Sequence, residues 1–492
     1  MIPLSLAQIA AITGAGLDQV ADPGAVVYGQ VVIDSRRAGP GGLFAALPGE
    51  RFDGHEFARA AVRAGAVAVL ATRPPGVPGV PALIVPDVPA ALAALARENT
   101  ERLRGLSGLT IAGITGSAGK TTTKDLTAQL AERLGPTVAP EGSFNNELGH
   151  PLTVLLAGER TRYLILELSA RGLGHISRLC EIAPPRLGAV LNVGRAHIGE
   201  FGSLDAVAAA KGELPEALPA GGVAVLNADD PRVAAMAGRT AARVVTFGRS
   251  SRAVVRAADV TLDTDGRPAF TLVTPEGAAS VRLNLRGEHN VPDALAAAAL
   301  AREFGMAVDA VAAGLCAAVA RSKWRMEVTE RPDGVTVIND AYNASPEAMA
   351  SALGSLRAMS RAQQGRRAFA VLGHMAELGE ASAPAHEEAG ALAARAGVQA
   401  LIVVGDEAAP ILSGAKSEPG WQGDLLHVPD GRAAVAAISG LLAPGDVVLV
   451  KASRAAGLER VALTLAGEPS GNADAPGHEV PGQAEHRGEV TP

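Results

Sequence analysis

The sequence predicts an α/β protein of three domains, and two observations support this prediction. Short apolar strands alternate with Ala-rich helical stretches over most of the 492 residues, which is the order in which helices cover a mostly parallel sheet. A chain of this length is also too long for a single core, because domains average about 150 residues, so roughly three are expected. With 48% hydrophobic and 19% charged residues, the chain has enough apolar side chains to fill those cores.

The first predicted domain covers residues 1–104 and is a small α/β unit. Its strand-like runs are "VVYGQVVIDS", "AVAVLA" and "ALIVP", separated by Gly/Pro turns and one Ala-rich helical pattern. Ser5 and Gln8 have the spacing of a capping box, which predicts that the first helix begins just after Ser5.

The second and third predicted domains are α/β units of residues 105–320 and 321–466. Strand-like runs in the second are "LTIAGIT", "YLILEL", "LGAVLNV" and "GVAVLN", and those in the third are "VTVIND", "AFAVLG", "ALIVVG" and "DVVLVK". Both sets alternate with helical stretches, so we expect mostly parallel sheets. Residues 467–492 are rich in Gly, Pro and charge and are predicted to be a disordered tail.

The overall composition argues against several classes of function. A net charge of −7 and a pI near 5.9 are unfavourable for a nucleic-acid surface or a polybasic membrane patch. Cys180 and Cys316 lie far apart without metal-binding spacing, so both are predicted to be reduced core residues. No Lys or Arg precedes Arg36, and no apolar run approaches about 20 residues. The chain is therefore expected to be cytoplasmic, with no stable membrane association.

The stretch "GITGSAGKTT", residues 113–122, has the pattern of a phosphate-binding loop. It follows the apolar run "LTIA" and precedes the helical stretch "KDLTAQLAERL", so backbone N–H groups and a helix N-terminus would point at one anion. Its glycines allow close approach, Lys120 supplies a cation and Thr121 can bind Mg²⁺. Ile114 stands where the strict GxxxxGK[ST] pattern has glycine, so the loop is a variant. The alternative is a Gly-rich turn between a strand and a helix, which would need neither Lys120 nor Thr121.

We therefore predict that the chain binds ATP together with magnesium, as two ions. The loop residues expected to contact ATP are Thr115, Gly116, Ser117, Ala118, Gly119, Lys120 and Thr121.

Several motifs, in order along the chain, resemble those of the Mur ligases, the ATP-dependent amide-forming enzymes of peptidoglycan precursor synthesis. Their nucleotide loop is shared with folylpolyglutamate synthases and cyanophycin synthetases. Residues 33–66, "IDSRRAGPGGLFAALPGERFDGHEFARAAVRAGA", resemble the UDP-sugar-binding domain that folylpolyglutamate synthases lack. The motifs "FNNELGHPLT" (144–153), "NDAYNASPEAM" (339–349) and "VLGHMAELGE" (371–380) resemble the members that add D-alanyl-D-alanine.

The resemblance implies an architecture and a reaction. The three domains would be an N-terminal UDP-muramoyl-peptide-binding domain, a central P-loop ATP-binding domain with a mostly parallel sheet, and a C-terminal Rossmann-like ligase domain. A monomeric enzyme would join D-alanyl-D-alanine to UDP-N-acetylmuramoyl-tripeptide through an acyl phosphate. Such phosphoryl transfer relies on positioning and on charge neutralisation by Mg²⁺, Lys and Arg.

Some alternatives stay open at this point. The third residue of the tripeptide is lysine, ornithine or diaminopimelate. Two alternative functions remain for the chain. One is the Mur ligase that adds the third amino acid, which shares the uridine domain and the nucleotide loop; the other is a nucleotide-gated binding module that has lost catalysis.

The resemblance also implies a metal site beside the loop. Its ligands would be Thr121, Glu167, His197 and Lys211, the last as a carbamate. Glu167 ends the run "YLILEL", and a parallel sheet presents ligand-binding residues at its carboxyl edge. Taken alone, His197 would be a polar loop residue and Lys211 a solvated helix lysine. Catalysis is assigned to Lys120, His197, Lys211 and Arg325.

The remaining site residues are implied in the same way. The nucleotide would be contacted by Asn290, Arg325, Asp340 and Asn343, and the substrate by Ser35, Arg36, Asn145, Asn146, Lys451 and Arg454. Residues of the C-terminal domain would complete the site on domain closure. Simpler interpretations are a helix N-cap for Asn290, turn residues for the Asn pair, and a solvated basic loop for Lys451 and Arg454.

Four positions depart from the family pattern. Ser345 stands for a usual Asn, His374 for Asp, Ser169 for Gly and His175 for Glu. These departures bear on the dipeptide contacts more than on the ATP site.

Overall fold

The computed structural model describes residues 1–49, 52–142, 144–362 and 365–468. Their strands form sheets of five, nine and six strands and one two-stranded ribbon, and helices pack on these sheets, so the predicted α/β class is confirmed. The predicted disordered tail lies outside the described residues from 469 onward. Among the described residues, no helix is both long and apolar enough to cross a membrane.

The five-stranded sheet is built entirely within the first predicted domain. The elements of this part of the chain are β1 (Leu4–Ser5), α1 (Leu6–Thr13), β2 (Gly16–Asp18), β3 (Val26–Val27), β4 (Val31–Val32), β5 (Leu43–Ala45), α2 (Ala58–Arg63), β6 (Ala68–Ala71), β7 (Ala82–Ile84) and α3 (Val88–Ser107). The sheet order is β2-β7-β6-β5-β4, with only β2 antiparallel, while β1 and β3 form the ribbon.

Two details of this domain were tested by the structure. The capping box is present, because the Ser5 hydroxyl accepts from the Gln8 N–H and the Gln8 side chain accepts from the Ser5 N–H. The run "VVYGQVVIDS" is not one strand, since it divides into β3 and β4. β3 pairs with β1 and β4 with β5. Between them, at Gly29, the backbone passes so close to Pro40 that an added Cβ would lie 2.6 Å from the Pro40 carbonyl oxygen.

The nine-stranded sheet forms the centre of the molecule. Its part of the chain contains β8 (Thr110–Thr115), α4 (Lys120–Glu132), β9 (Thr137–Val138), α5 (Gly149–Val154), β10 (Tyr163–Glu167), α6 (His175–Ile182), β11 (Leu187–Val190), α7 (Ile198–Phe201), α8 (Leu204–Glu216), β12 (Val223–Asn227), α9 (Pro231–Ala235), β13 (Arg243–Gly248), β14 (Val255–Leu262), β15 (Pro268–Thr274), β16 (Gly277–Arg282), α10 (Asn290–Glu303) and α11 (Val308–Ala317). The order is β16-β15-β14-β13-β12-β11-β8-β10-β9, parallel as far as β14 and antiparallel at β15 and β16. The four predicted strands are β8, β10, β11 and β12.

The six-stranded sheet lies in the third predicted domain. Its elements are β17 (Glu327–Glu330), β18 (Thr336–Asn339), α12 (Pro346–Arg361), β19 (Ala368–Leu372), α13 (Ser382–Ala396), β20 (Ala400–Val404), α14 (Pro410–Lys416), β21 (Asp424–Val428), α15 (Gly431–Ser439), β22 (Val447–Lys451) and α16 (Glu459–Ala466). The order is β17-β18-β22-β19-β20-β21, with only β17 antiparallel. The four predicted strands are β18, β19, β20 and β22.

Helix α3 connects the first two sheets. It packs on α5 and α6 of the central part, and apolar residues of both parts share one core. The predicted domain limit at residue 104 lies inside this helix, and the limits at 104, 320 and 466 remain predictions.

The two cysteines are both free, and they differ in burial. Cys180 is buried, and burial raises the pKa of its thiol to about 12. Cys316 is only half-buried: it packs against the margin of the central core, and its sulfur accepts a hydrogen bond from the Arg282 N–H at the edge strand β16.

Candidate active site

A cavity of about 1450 Å³ lies where the carboxyl ends of the central strands face the C-terminal sheet. This is the edge at which open α/β sheets bind ligands, and the volume exceeds that of a typical single-ligand pocket of about 300–1,000 Å³. The predicted site residues that line it are Ser117, Ala118, Gly119, Lys120, Thr121, Asn145, Asn146, Glu167, His197, Asn290, Arg325, Asp340, Asn343, Lys451 and Arg454. The predicted residues that do not line it are Ser35, Arg36, Thr115, Gly116 and Lys211.

The phosphate-binding loop connects the end of β8 to the start of α4. Gly119 caps the helix with a φ of 81°, and a Cβ there would lie 2.2 Å from Oδ1 of Asp293, so both backbone conformation and space require glycine. The Lys120 ammonium donates to the Gly116 carbonyl across the loop at 2.8 Å. Burial lowers the pKa of Lys120, the Glu167 carboxylate opposes this shift, and the charge of Arg325 adds to it. Arg325 of the C-terminal part therefore lies near the loop lysine.

Glu167 ties the loop to the neighbouring strand end. Its carboxylate accepts from the Thr121 hydroxyl at 2.9 Å and from the Asn145 amide at 2.7 Å, and only 1% of its surface is exposed. Among the described residues there is no cluster of three or more His, Cys, Asp or Glu that could hold a metal. Mg²⁺ keeps several of its waters and takes only one or two protein carboxylates, so a hydroxyl beside a carboxylate suits it.

Lys211 lies on α8 and is buried, so its interpretation as a solvated lysine is wrong. It is 5% exposed, and no residue of the described chain forms a hydrogen bond or ion pair with it. Burial, and then the charge of Lys120, hold its pKa well below the usual value. The side chain thus carries a neutral amine more readily than an ordinary lysine.

His197 contacts the C-terminal part of the chain. It adopts a left-handed backbone with φ of 59° before α7, and its Nδ1 pairs with the carboxylate of Glu377. The imidazole lowers the pKa of Glu377, which Arg171 also contacts at 3.2 Å. Its other ring nitrogen, Nε2, has no partner within the described part of the chain.

The C-terminal wall is organised around Asp340 and Lys451. The Lys451 ammonium lies 2.6 Å from Oδ2 of Asp340 and donates to the Asn343 carbonyl at 2.9 Å, while Lys451 is 1% exposed. Oδ1 of Asp340 accepts from the Met326 N–H at 3.0 Å. This buried network excludes a solvated loop for Lys451.

Arg325 extends from a strained segment beside this network. The flanking residues Trp324 and Met326 have φ of 58° and 50°, a conformation that bulky side chains rarely adopt. The Arg325 guanidinium lies over the Tyr342 ring, 4.3 Å from its centre, and the guanidinium of Arg454 lies at the same distance over Trp324. The segment is thereby held in a shape that directs Arg325 into the cavity.

Asn290 begins α10 but is not its N-cap, so that simpler interpretation is wrong. The capping residue is His289, which makes no side-chain cap bond. The Asn290 amide instead donates to the carbonyls of Arg286 at 2.7 Å and Gly287 at 3.2 Å. These bonds fix the amide group at the cavity wall, with its oxygen available to a donor.

The predicted substrate contacts are only partly brought together. Arg36 pairs with Asp34 outside the cavity, whereas the adjacent Arg37 lines it and lies 3.6 Å from Glu141 of the central part. The Asn146 side chain accepts from the Gly149 N–H at 2.8 Å, which is turn chemistry.

Sequence reasoning missed two features of the site. Asp293 lines the cavity against the phosphate loop, and burial raises its pKa to about 8. It lies in the same sequence motif as Asn290, but nothing in that motif indicated that this carboxyl would be buried. Arg195 bonds to Glu347 and Glu388 of the C-terminal part, at 2.9 and 2.8 Å. Such long-range pairs have no local pattern that could have predicted them.

Comparisons with known families match three consecutive parts of the chain. The family models described as the Mur ligase catalytic domain, the Mur ligase middle domain, and the Mur ligase glutamate ligase domain match residues 27–100, 114–301 and 324–454.

Similar proteins and structures cover nearly the whole chain. A UDP-N-acetylmuramoyl-tripeptide–D-alanyl-D-alanine ligase of Mycobacterium tuberculosis is 50% identical over 94% of this chain and 98% of the relative. The Escherichia coli protein of the same name is 35% identical over 94% and 99%. A crystal structure of MurF from Acinetobacter baumannii matches with a TM-score of 0.82 at 30% identity, over 95% of this chain and 99% of that one. A MurF ligase structure from Thermotoga maritima in complex with ADP matches with a TM-score of 0.75 at 30% identity, over 89% and 97%.

Proposed function

Because this chain belongs to the Mur ligase family, we propose that it joins D-alanyl-D-alanine to UDP-N-acetylmuramoyl-tripeptide at the expense of ATP. The product is UDP-N-acetylmuramoyl-pentapeptide, a precursor of peptidoglycan. The carrying observation is the similarity of nearly the whole chain to ligases of this name, at 50% identity. The preserved phosphate loop, with Lys120 and Thr121 in place, disfavours a binding module without catalysis.

The reaction needs a leaving group on the tripeptide carboxyl. A carboxylate oxygen of the tripeptide attacks the γ-phosphorus of ATP, and the bond from that phosphorus to the bridging oxygen breaks. ADP departs, and the tripeptide now carries an acyl phosphate. The dipeptide amine then attacks the acyl carbon, loses a proton, and expels phosphate. Lys120 and Arg325 stabilise the charge on the transferred phosphoryl group, and the loop N–H groups hold the remaining phosphates.

We propose that Mg²⁺ is held by Thr121 and Glu167, whose oxygens are already adjacent. When bound, the metal neutralises phosphate charge. His197 would contribute Nε2, because the Glu377 carboxylate on Nδ1 orients the ring and supports its basicity, as partners of metal-bound histidines do.

We propose further that Lys211 carries a carbamate directed at this metal. Its neutral amine can attack CO₂ and release a proton, which replaces a buried, unpaired group by an anion that suits Mg²⁺. Lys211→Ala should then be nearly inactive, and short-chain carboxylates should restore part of the activity. The matched control is Lys416→Ala, at the exposed end of α14. A ¹³C NMR signal from ¹³CO₂ that is present in the wild type and absent in Lys211→Ala would test the carbamate independently of turnover.

The ligation itself is tested by product mass. The protein is incubated with ATP, Mg²⁺, D-alanyl-D-alanine and, in turn, the lysine, ornithine and diaminopimelate forms of UDP-muramoyl-tripeptide. We expect pentapeptide with one of them, and phosphate release only when both co-substrates are present. Faster addition of a single amino acid to UDP-muramoyl-dipeptide would reassign the chain to the preceding step.

We also propose that the chain acts as a monomer in the cytoplasm. The cavity is lined by residues from all three parts of one chain, so the site needs no second copy, and its substrate ATP is found in that compartment.

A further inference from the structure

His374 lies on the C-terminal wall of the cavity, at the carboxyl end of β19. Its carbonyl accepts from the Ser453 N–H at 2.9 Å, and Ser453 follows the adjacent parallel strand β22. Arg454, the next residue, also lines the cavity. Two side chains that can carry positive charge therefore stand on neighbouring strand ends of one sheet.

The His374 ring is held on two sides. Its Nδ1 lies 3.0 Å from a carboxylate oxygen of Glu407, which follows β20. One face stacks on the ring of His386, with ring centres 5.3 Å apart and an angle of 14° between the planes. Because a carboxylate can only accept, Nδ1 must carry the proton in this pair.

His386 is a fixed, neutral support. It is fully buried; its Nε2 accepts from the Met375 N–H at 2.9 Å, and its Nδ1 lies 2.7 Å from the Ser382 carbonyl. One nitrogen accepts and the other donates, which is the neutral tautomer, and burial lowers the pKa of this ring. The stacked His386 ring therefore holds His374 in place, and its own nitrogens are already occupied by the backbone.

The second ring nitrogen of His374, Nε2, is available to a ligand. Nε2 of His374 makes no hydrogen bond within the described residues, and its side chain is 28% exposed at the cavity. In the doubly protonated ring, Nδ1 is paired with Glu407 and Nε2–H is left to donate to a second carboxylate.

We infer that His374, oriented by Glu407 and His386, recognises the terminal carboxylate of the incoming dipeptide. The inference rests on the proposed function, since it takes D-alanyl-D-alanine as the nucleophile. The amine of that dipeptide must reach the acyl phosphate beside Lys120 and Arg325, and two residues span at most about 7 Å. His374 lines the same cavity on the wall that supplies Arg325, so a dipeptide extending along that wall brings its carboxylate to the His374 ring.

The experiment removes the carboxylate from the ligand and the ring from the protein. kcat/KM is measured for D-alanyl-D-alanine and for D-alanyl-D-alaninamide with the wild type and with His374→Asn. We expect the wild type to prefer the acid by about tenfold or more, the scale of a charge-assisted hydrogen bond. In His374→Asn this preference should fall several-fold, mainly through KM for the dipeptide, with KM for ATP unchanged.

The control is His427→Asn, on the neighbouring edge strand β21. That imidazole also stands near a carboxylate, Asp406 at 3.7 Å, but it does not line the cavity. We expect the His427→Asn variant to prefer D-alanyl-D-alanine over D-alanyl-D-alaninamide as strongly as the wild type does. His374→Gln, whose longer side chain can place its amide N–H near the position of Nε2, should retain part of the preference that the shorter His374→Asn loses.

If His374→Asn lowers kcat/KM equally for D-alanyl-D-alanine and for D-alanyl-D-alaninamide, the inference is overturned, because a purely structural role affects both ligands alike. If thermal unfolding shows that His374→Asn does not fold, Glu407→Gln decides: a reduced preference supports the inference and an unchanged one overturns it. A wild type that ligates neither ligand would instead contradict the proposed function.

Discussion

At the scale of single residues, burial decides which charged side chains are available for chemistry. Lys211 is buried and Lys120 is half-buried at the cavity, and burial lowers the pKa of both. The charge of Lys120 lowers the pKa of Lys211 further. Lys451 is also buried but is paired with Asp340. Lys120 and Lys211 are therefore the lysines for which we propose an anionic partner from outside the chain, whereas Lys451 already has one in Asp340.

The loop lysine should be essential for turnover but not for folding. Lys120→Ala removes a cation from the transferred phosphoryl group, so we expect kcat to fall by about 10³-fold, as for other electrostatic deletions. Steady-state phosphate release measures this, with the exposed Lys416→Ala as the control. Near-normal turnover in Lys120→Ala would remove the ATP site from this loop.

Asp293 should make stability depend on pH. Its pKa is raised from 3.8 to about 8 by burial, so between these values the folded state holds a proton that the unfolded state has lost. Stability from this group is therefore full below pH 3.8 and declines as pH rises towards 8.

Asp293→Asn should remove this dependence. The free energy of unfolding of the variant, relative to the wild type, should rise with pH across this range by up to about 1.4 kcal/mol per pH unit. Denaturant titrations at pH 5 and pH 8 measure it. Asp309→Asn, an exposed acid in the first turn of α11, is the control. A parallel pH dependence of Asp293→Asn and wild type would contradict the burial of the acid as the cause.

At the scale of elements, the sequence predicts what is buried on both faces and misses what is not. The eight strands read from the central and C-terminal parts are continuous apolar runs, and the structure buries nearly all of their residues. Strands β14 and β15 alternate buried with exposed or half-buried residues, while the edge strands β16 and β21 bury one residue and none. Their weaker apolar pattern is the reason that they were not predicted.

The site followed the same division. The strand, turn and helix of the predicted phosphate loop could be read from the sequence because their signals are local: an apolar run, then glycines, a lysine and a threonine on one turn. The pairs of Glu167 with Asn145 and of His197 with Glu377 join distant segments, and only a resemblance to known enzymes suggested some of these residues.

Helix α3 should depend on one buried amide. Asn99 accepts from the Ile2 N–H at 2.9 Å and donates to the carbonyls of Val154 and Ala157, so it joins the N-terminus, α3 and the end of α5. Asn99→Leu leaves these groups buried without partners, and we expect a loss of about 3 kcal/mol in the free energy of unfolding. Glu98→Gln, which removes a partly exposed ion pair with Arg102 on the same helix, should cost under about 1 kcal/mol. Equal effects of the two variants in denaturant titrations would show that the amide is not the joint.

At the scale of the whole molecule, the site exists only where the parts of the chain meet. The central sheet supplies the phosphate loop and Glu167, whereas Arg325, Asp340 and Lys451 come from the C-terminal part. The contacts that hold these parts together at the cavity include the pairs made by His197 and Arg195. Because the proposed site draws residues from both parts, the proposed reaction requires these parts to be in contact.

Arg195 should help to hold the central and C-terminal parts of the chain together at the cavity. Its backbone N–H and guanidinium bond to Glu347 in the first turn of α12, and the guanidinium also bonds to Glu388 on α13. These pairs are partly exposed, so each contributes about 0–1 kcal/mol, and we expect Arg195→Ala to lower kcat by about three- to tenfold rather than abolish it. Since salt screens exposed pairs, raising ionic strength to about 1 M should slow the wild type towards the variant and affect the variant little. The control is Arg232→Ala, whose pair with Asp205 lies within the central part and is exposed. If Arg195→Ala keeps both the wild-type rate and its salt dependence, the two parts are held together by other contacts, which must be sought at His197 and Glu377.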